Sequence, residues 1–120
     1  MTILTLDKMI DFDTSEIGYM GMEVPVHTQE AITSYLLRGW QPGGFLTSML
    51  AGDMFRAVNS ADTGNRQMMW AIGRFIMTNL PNGSWGSYER VEDWCNDKKG
   101  IRTEYVTDIE KNYIWKTLKA

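Results

Sequence analysis

From Thr28 onward the apolar positions fall at three- and four-residue steps: Ile32, Tyr35, Leu36 and Trp40 line one face of a helix. Thr28, followed by an amide and an acid, suits an N-cap, and Gly39 with Pro42 suits the stop. The next run predicts a helix from about 44 to 60, on which Leu46, Met49, Leu50, Ala57 and Ala61 share a stripe at 100° per residue. A third helix opens at Asp62 or Thr63 and carries Met68, Met69, Ile72, Phe75, Ile76 and Leu80 before Pro81. Ser87 then caps a fourth, in which Tyr88, Val91, Trp94 and Cys95 align.

The two ends are patterned differently. Ile3 and Thr5 alternate with Leu4 and Leu6, as in a short strand, and the rest of 1–26 is turn-rich. That segment reads as an N-terminal arm docked on the body. In the tail, "IRTEYVT" carries the β-branched and aromatic residues of a strand. "TDIEKNYIWKTLKA" reads as a helix capped by Thr107 or Asp108, with Lys116 and Lys119 near its C-terminal end. Helix is favoured there. The expected fold is all-α: a compact bundle of four to five short helices in a single domain. An arm (1–26), a helical core (27–96) and a C-terminal extension (97–120) make it up.

Composition narrows the function classes. The chain of 120 residues holds nine Met and five Trp, most of which a helical core accounts for. Net charge is −3, with twelve Lys and Arg scattered along the chain, so no basic stripe invites DNA or RNA. One cysteine, Cys95, and one histidine, His27, leave neither an internal disulfide nor a Cys/His zinc site. No apolar run approaches the roughly 20 residues that span a bilayer, and the N-terminus does not read as a signal peptide. The cytoplasm is the expected location, with no membrane, metal or cofactor.

Catalytic constellations are thin. Cys95 lies beside Trp94 on an apolar face, where burial raises a thiol pKa, so a dyad with His27 is disfavoured. No G-x-S-x-G elbow accompanies the serines. Asp11, Asp13, Ser15 and Glu16 resemble the start of a calcium loop, but its sixth and twelfth positions hold Glu16 and Met22 instead of glycine and a carboxylate. No enzyme is expected.

Asp53 is the sharper feature, because it falls in the middle of the Leu46 stripe. A carboxylate on a core face needs a partner. The candidates are N–H groups of the 82–87 loop, the indole of Trp40 or Trp85, and Arg56 or Arg74. It is either a structural buckle or an acid facing a ligand, and Asn65 and Asn79 on the third helix invite the same two readings. Two glycine loops, "QPGGF" and "NGSWGS", each stand before a helix and carry an aromatic. Such a loop can offer N–H groups to an anion, although Pro-Gly-Gly more often only turns a corner. The candidate binding residues are therefore Trp40, Gly43, Gly44, Phe45, Asp53, Gly83, Ser84, Trp85, Gly86 and Ser87.

His27-Thr28, Glu30-Ala31 and Tyr35, then Pro42-Gly43-Gly44-Phe45-Leu46, Leu50, Asp53 and Ala57, form a combination more specific than either loop. With Ala61-Asp62, Asn65, Pro81 and Gly83-Ser84-Trp85-Gly86-Ser87 it resembles a family of small, uncharacterised helical proteins encoded by bacteriophages. The resemblance spans about 25–95 and carries over no catalytic residue. It implies an accessory protein in the host cytoplasm that binds a host or phage protein, in the manner of inhibitors of host defence. A second reading is a nucleotide-signal-binding, sponge-like module using the two glycine loops. Either leaves a homo-oligomer open.

Overall fold

The computed structural model describes residues 24–119, with side chains as far as Lys111. Of the expected N-terminal arm, residues 1–23 lie outside the described residues, and with them the alternating 3–6 segment and the acidic turn at 11–16. The described chain begins at Val24, which is buried in the core.

Seven helices follow: α1 (Val26–Arg38), α2 (Gly44–Ala51), α3 (Met54–Ser60), α4 (Thr63–Gln67), α5 (Met69–Asn79), α6 (Tyr88–Cys95) and α7 (Ile101–Lys119). Single 3₁₀ turns at Asn82–Ser84 and Lys98–Gly100 link the last three. No strand occurs among the described residues. The all-α expectation holds, but the described residues contain more than four to five helices because two predicted helices are each broken in two.

The first break falls inside the predicted 44–60 helix. Gly52 adopts a left-handed φ of 80° and closes α2, its N–H bonding Met49 O at 3.1 Å while Asp53 N–H bonds Ser48 O at 2.9 Å. Asp53 then restarts the chain as the N-cap of α3, accepting the Arg56 N–H. The second break is at Met68, whose N–H reaches back only three residues to Asn65 O and so tightens the end of α4. Asp62 caps α4 by accepting the Asn65 N–H at 2.8 Å, as the sequence suggests.

Two helix starts lie elsewhere than predicted. Pro25 precedes α1, and Thr28 sits inside it, buried, with its hydroxyl donating to Asn65 Oδ1 at 2.6 Å. α7 opens at Ile101 instead of Thr107, because Asp97 accepts the N–H groups of Arg102 and Thr103 at 2.8 and 3.0 Å and also the Thr103 hydroxyl. That cap turns the strand-like "IRTEYVT" into the first two turns of a helix.

The core sits where α1, α2, α5 and α6 meet, with Tyr35, Leu36, Leu50, Ile72, Phe75 and Trp94 each at most 2% exposed. Its polar groups are paired in a chain. Trp94 Nε1–H donates to Tyr35 O at 3.1 Å, and the Tyr35 hydroxyl donates to Ser84 O at 2.6 Å. Gly86 N–H then donates to Leu50 O at 2.8 Å, closing the second glycine loop on the C-terminal end of α2. α7 joins through Ile101 and Tyr105, the latter meeting Trp94 edge-on at 5.5 Å. Arg102 Nη1 caps α6 by donating to Trp94 O and Cys95 O, both at 2.9 Å. This guanidinium lies so close to Gly39 that a Cβ there would be 1.5 Å from Nη1, and Gly39 also takes a left-handed φ of 67°.

Tyr35→Phe keeps the ring but strands the buried Ser84 carbonyl without its donor. A loss of about 1–3 kcal/mol in unfolding free energy is expected. Denaturant melts with an unchanged slope check it.

Candidate functional site

The first glycine loop is held by its own helix. Thr47, in the first turns of α2, donates its hydroxyl to Pro42 O at 3.1 Å and accepts the Gln41 side-chain amide at 3.2 Å. Gly43 occupies the N-cap position and brings no side chain to the first-turn N–H groups. A Cβ on Gly43 or Gly44 would meet nothing within 4 Å, so neither residue is there for close packing. Phe45 turns inward to the core, whereas Trp40 is 63% exposed with the Arg38 guanidinium 5.5 Å from its ring centroid.

Three open clefts surround this loop. One of about 280 Å³ is lined by His27, Thr28, Gly43, Gly44, Asp62 and Asn65, among others. A second, about 320 Å³, runs from His27 and Glu30 past Trp40 to Gly43. The third, about 240 Å³, passes Thr47, Arg56 and Ser60 to reach Tyr88. The first two border carboxylates as well as helix N–H groups, so the head of α2 is polar and mixed in sign. His27 Nε2 stands 3.5 Å from Asp62 Oδ2, both exposed.

The second loop is built for the fold. Ser84 is fully buried, its hydroxyl donating to Pro81 O at 2.6 Å, and the indole N–H of Trp85 donates to Leu80 O at 3.3 Å. Gly83 is exposed, Gly86 takes a φ of 116° as it meets Leu50, and Ser87 caps α6 by accepting the Arg90 N–H at 3.1 Å. Because Gly86 binds the last turn of α2 while Gly43 begins it, the two loops stand at opposite ends of one helix. None of the three clefts is lined by residues of both loops.

Asp53 is displaced from the expected core stripe by the Gly52 break. Its carboxylate accepts the Tyr88 hydroxyl at 2.6 Å and the Arg56 N–H at 3.3 Å, and none of the expected indole or loop donors. The Tyr88 hydrogen bond, followed by that N–H, holds its carboxyl below the usual value of 3.8. The same hydroxyl pushes the Arg56 guanidinium pKa up. Asp53 thus ties the start of α3 to α6. Asn65 is the buried partner of Thr28, and Asn79 is exposed with its amide on Phe75 O.

Cys95 and His27 do not pair with each other. The thiol donates to Gln41 Oε1 at 3.5 Å, and burial pushes its pKa up although Arg102 opposes the shift. Among the described residues no three of His, Cys, Asp and Glu are placed to hold a metal ion, and no helix is long and apolar enough to cross a membrane.

What sequence reasoning missed is an apolar ridge. On α3, Phe55 is 93% exposed, with Met54 at 50% and Val58 at 47%, and Tyr88 adds an aromatic edge at 42%. The signal was partial: on a short helix that buries Ala57, Phe55 and Val58 fall away from the buried side.

No protein-family model, no curated protein and no solved structure matches the chain. The phage resemblance therefore rests on the residues quoted for it.

The depressed carboxyl sets a pH signature. The stabilisation that Asp53 provides is fully present above its unfolded value near 3.8 and disappears as pH falls through its lower folded value. In Tyr88→Phe the Asp53 carboxyl should titrate higher, closer to the ordinary value, as carbon-detected NMR of the side chain will show. An unmoved titration would remove Tyr88 as the cause.

Proposed function

We propose that the protein is a non-enzymatic binding module that engages another protein through α3 and the adjoining edge of α6. The observation that carries this reading is the exposure of Phe55 at 93%, with Met54 and Val58 half-exposed on the same short helix and Tyr88 exposed on α6. Contiguous apolar side chains of this size, rimmed by polar groups such as Arg56 and Asn59, are characteristic of contact surfaces. The partner is a host or phage protein if the phage resemblance holds, and inhibition of a host defence system is the role that resemblance suggests.

The test is affinity capture from host lysate with wild-type protein and Phe55→Asp. A specific partner retained by the wild type and weakened about tenfold or more by the substitution is expected, since anchors at the centre of a contact carry most of its energy. Equal capture by both proteins would discard the α3 surface.

A second reading, a nucleotide-type ligand, is favoured by the open head of α2, where uncapped N–H groups lie near the exposed Trp40. It uses the first glycine loop only. A ligand at a hundred times its dissociation constant adds about 2.7 kcal/mol of stability, so a thermal-shift screen with cyclic and ADP-ribose-type nucleotides decides it. An unmoved melting temperature across the panel rejects this reading.

A further inference from the structure

The protein is net negative at −3, yet between Thr63 and Tyr88 the chain carries no carboxylate. Two arginines lie in that stretch, Arg66 on α4 and Arg74 on α5, both exposed. Two large apolar side chains accompany them, Trp70 at 61% and Met77 at 67% exposure. Trp70, Arg74 and Met77 follow one another at four- and three-residue steps and so share a face of α5. The buried face of that helix is made by Met69, Ala71, Ile72, Phe75 and Ile76.

The Arg74 guanidinium lies 5.8 Å from the centroid of the Trp70 ring, which places a cation directly against the apolar surface. Beside the indole opens a cleft of about 410 Å³ lined by Gln67, Met68, Trp70 and Ala71. Of the helices that pack on α5, α2 contributes no charged residue, and α4 carries Arg66 with the Asp62 carboxylate at its N-terminal cap.

We propose that this face docks an acidic amphipathic segment of a partner protein. An apolar side chain of the segment enters the cleft beside Trp70, and carboxylates on either side of it pair with Arg66 and Arg74. The proposal rests on the protein-binding reading but uses a different face from the α3 ridge. Charge complementarity selects the occupant, because a basic segment would meet like charge whereas an acidic one brings carboxylates to Arg66 and Arg74. Trp, Arg and Met are also the side chains enriched at contact centres. A nucleic-acid strand would find an aromatic to stack on. Two arginines on a net-negative protein, however, are too few to follow a phosphate backbone.

The test uses the full chain and a fluorescein-labelled synthetic amphipathic helix in which glutamates flank a leucine, followed by anisotropy. Its Glu-to-Gln counterpart and an oligothymidylate are the comparison probes. Arg74→Glu and Trp70→Ala are the informative variants, since both residues are exposed and circular dichroism can confirm the fold. Arg66 is left intact because its guanidinium also donates to Ala61 O at 3.1 Å. The acidic peptide should bind with a salt-sensitive affinity, and each variant should weaken it roughly tenfold. Lys111→Glu, the same charge change on α7, should leave binding unaltered, and so should Phe55→Asp.

Absence of binding overturns the proposal, as does equal binding of the Gln peptide or tighter binding of the oligothymidylate. Loss of binding in Phe55→Asp alone overturns this face while leaving the protein-binding reading intact. A photocrosslinker at position 70 that joins residues 1–23 of the same chain in place of the peptide also overturns it.

Discussion

The hydrogen bond from the Tyr35 hydroxyl to the Ser84 carbonyl is the contact through which the rest of the molecule is arranged. It joins α1 to the second glycine loop across 49 residues, and both residues are fully buried. The backbone carbonyl of Tyr35 accepts the Gly39 N–H that closes α1 and the Trp94 indole that anchors α6. Burial pushes the phenol far above its ordinary pKa of 10.0, so it remains a neutral donor wherever the protein is folded at ordinary pH. A buried carbonyl and a buried hydroxyl that satisfy each other fix the relative positions of α1, α6 and the loop more narrowly than apolar packing alone.

That commitment determines where binding surfaces can lie. With Ser84 buried and Gly86 bonded to Leu50, the loop before α6 is fastened to the core at two points. The head of α2, at the far end of the same helix, keeps its glycines open, with Thr47 holding the turn through Pro42 O. The Gly52–Asp53 break matters as much. A continuous helix would have aimed Asp53 at the core, where an unpaired carboxylate is costly. The left-handed glycine instead redirects α3, and the carboxylate becomes a cap tied to Tyr88.

Local features were legible in the sequence, and features set by distant partners were not. Asp62 and Ser87 cap α4 and α6 as read, because a cap needs only the N–H group three residues on. The apolar stripe of α5 is buried as its period requires, as are Ile32, Tyr35 and Leu36 of α1 and Val91 and Trp94 of α6. Trp40 and Tyr88, expected on the same stripes, are exposed. Thr28 misled, because its hydroxyl is used 37 residues away by Asn65 instead of at its own helix start. "IRTEYVT" misled through β-propensity, which a strong upstream cap at Asp97 overrides. Asp53 was recognised as needing a partner, but the periodicity that flagged it assumed a helix that Gly52 interrupts. Of the candidate site, Trp40, Gly43 and Gly44 border open clefts, Phe45 lines one of them while packing on the core, and Ser84 serves the interior.

α3 is the element whose composition the fold explains least. It is seven residues long and buries only Ala57. A helix this short is unstable alone, so its existence depends on the Asp53 cap and on α2 behind it. Those requirements are met by the cap and one alanine. Phe55, at 93% exposure, adds almost no buried area, and a polar residue at 55 would satisfy the helix equally well. An aromatic turned to solvent also raises the hazard of unspecific association. No contact within the described residues accounts for the identity of that residue.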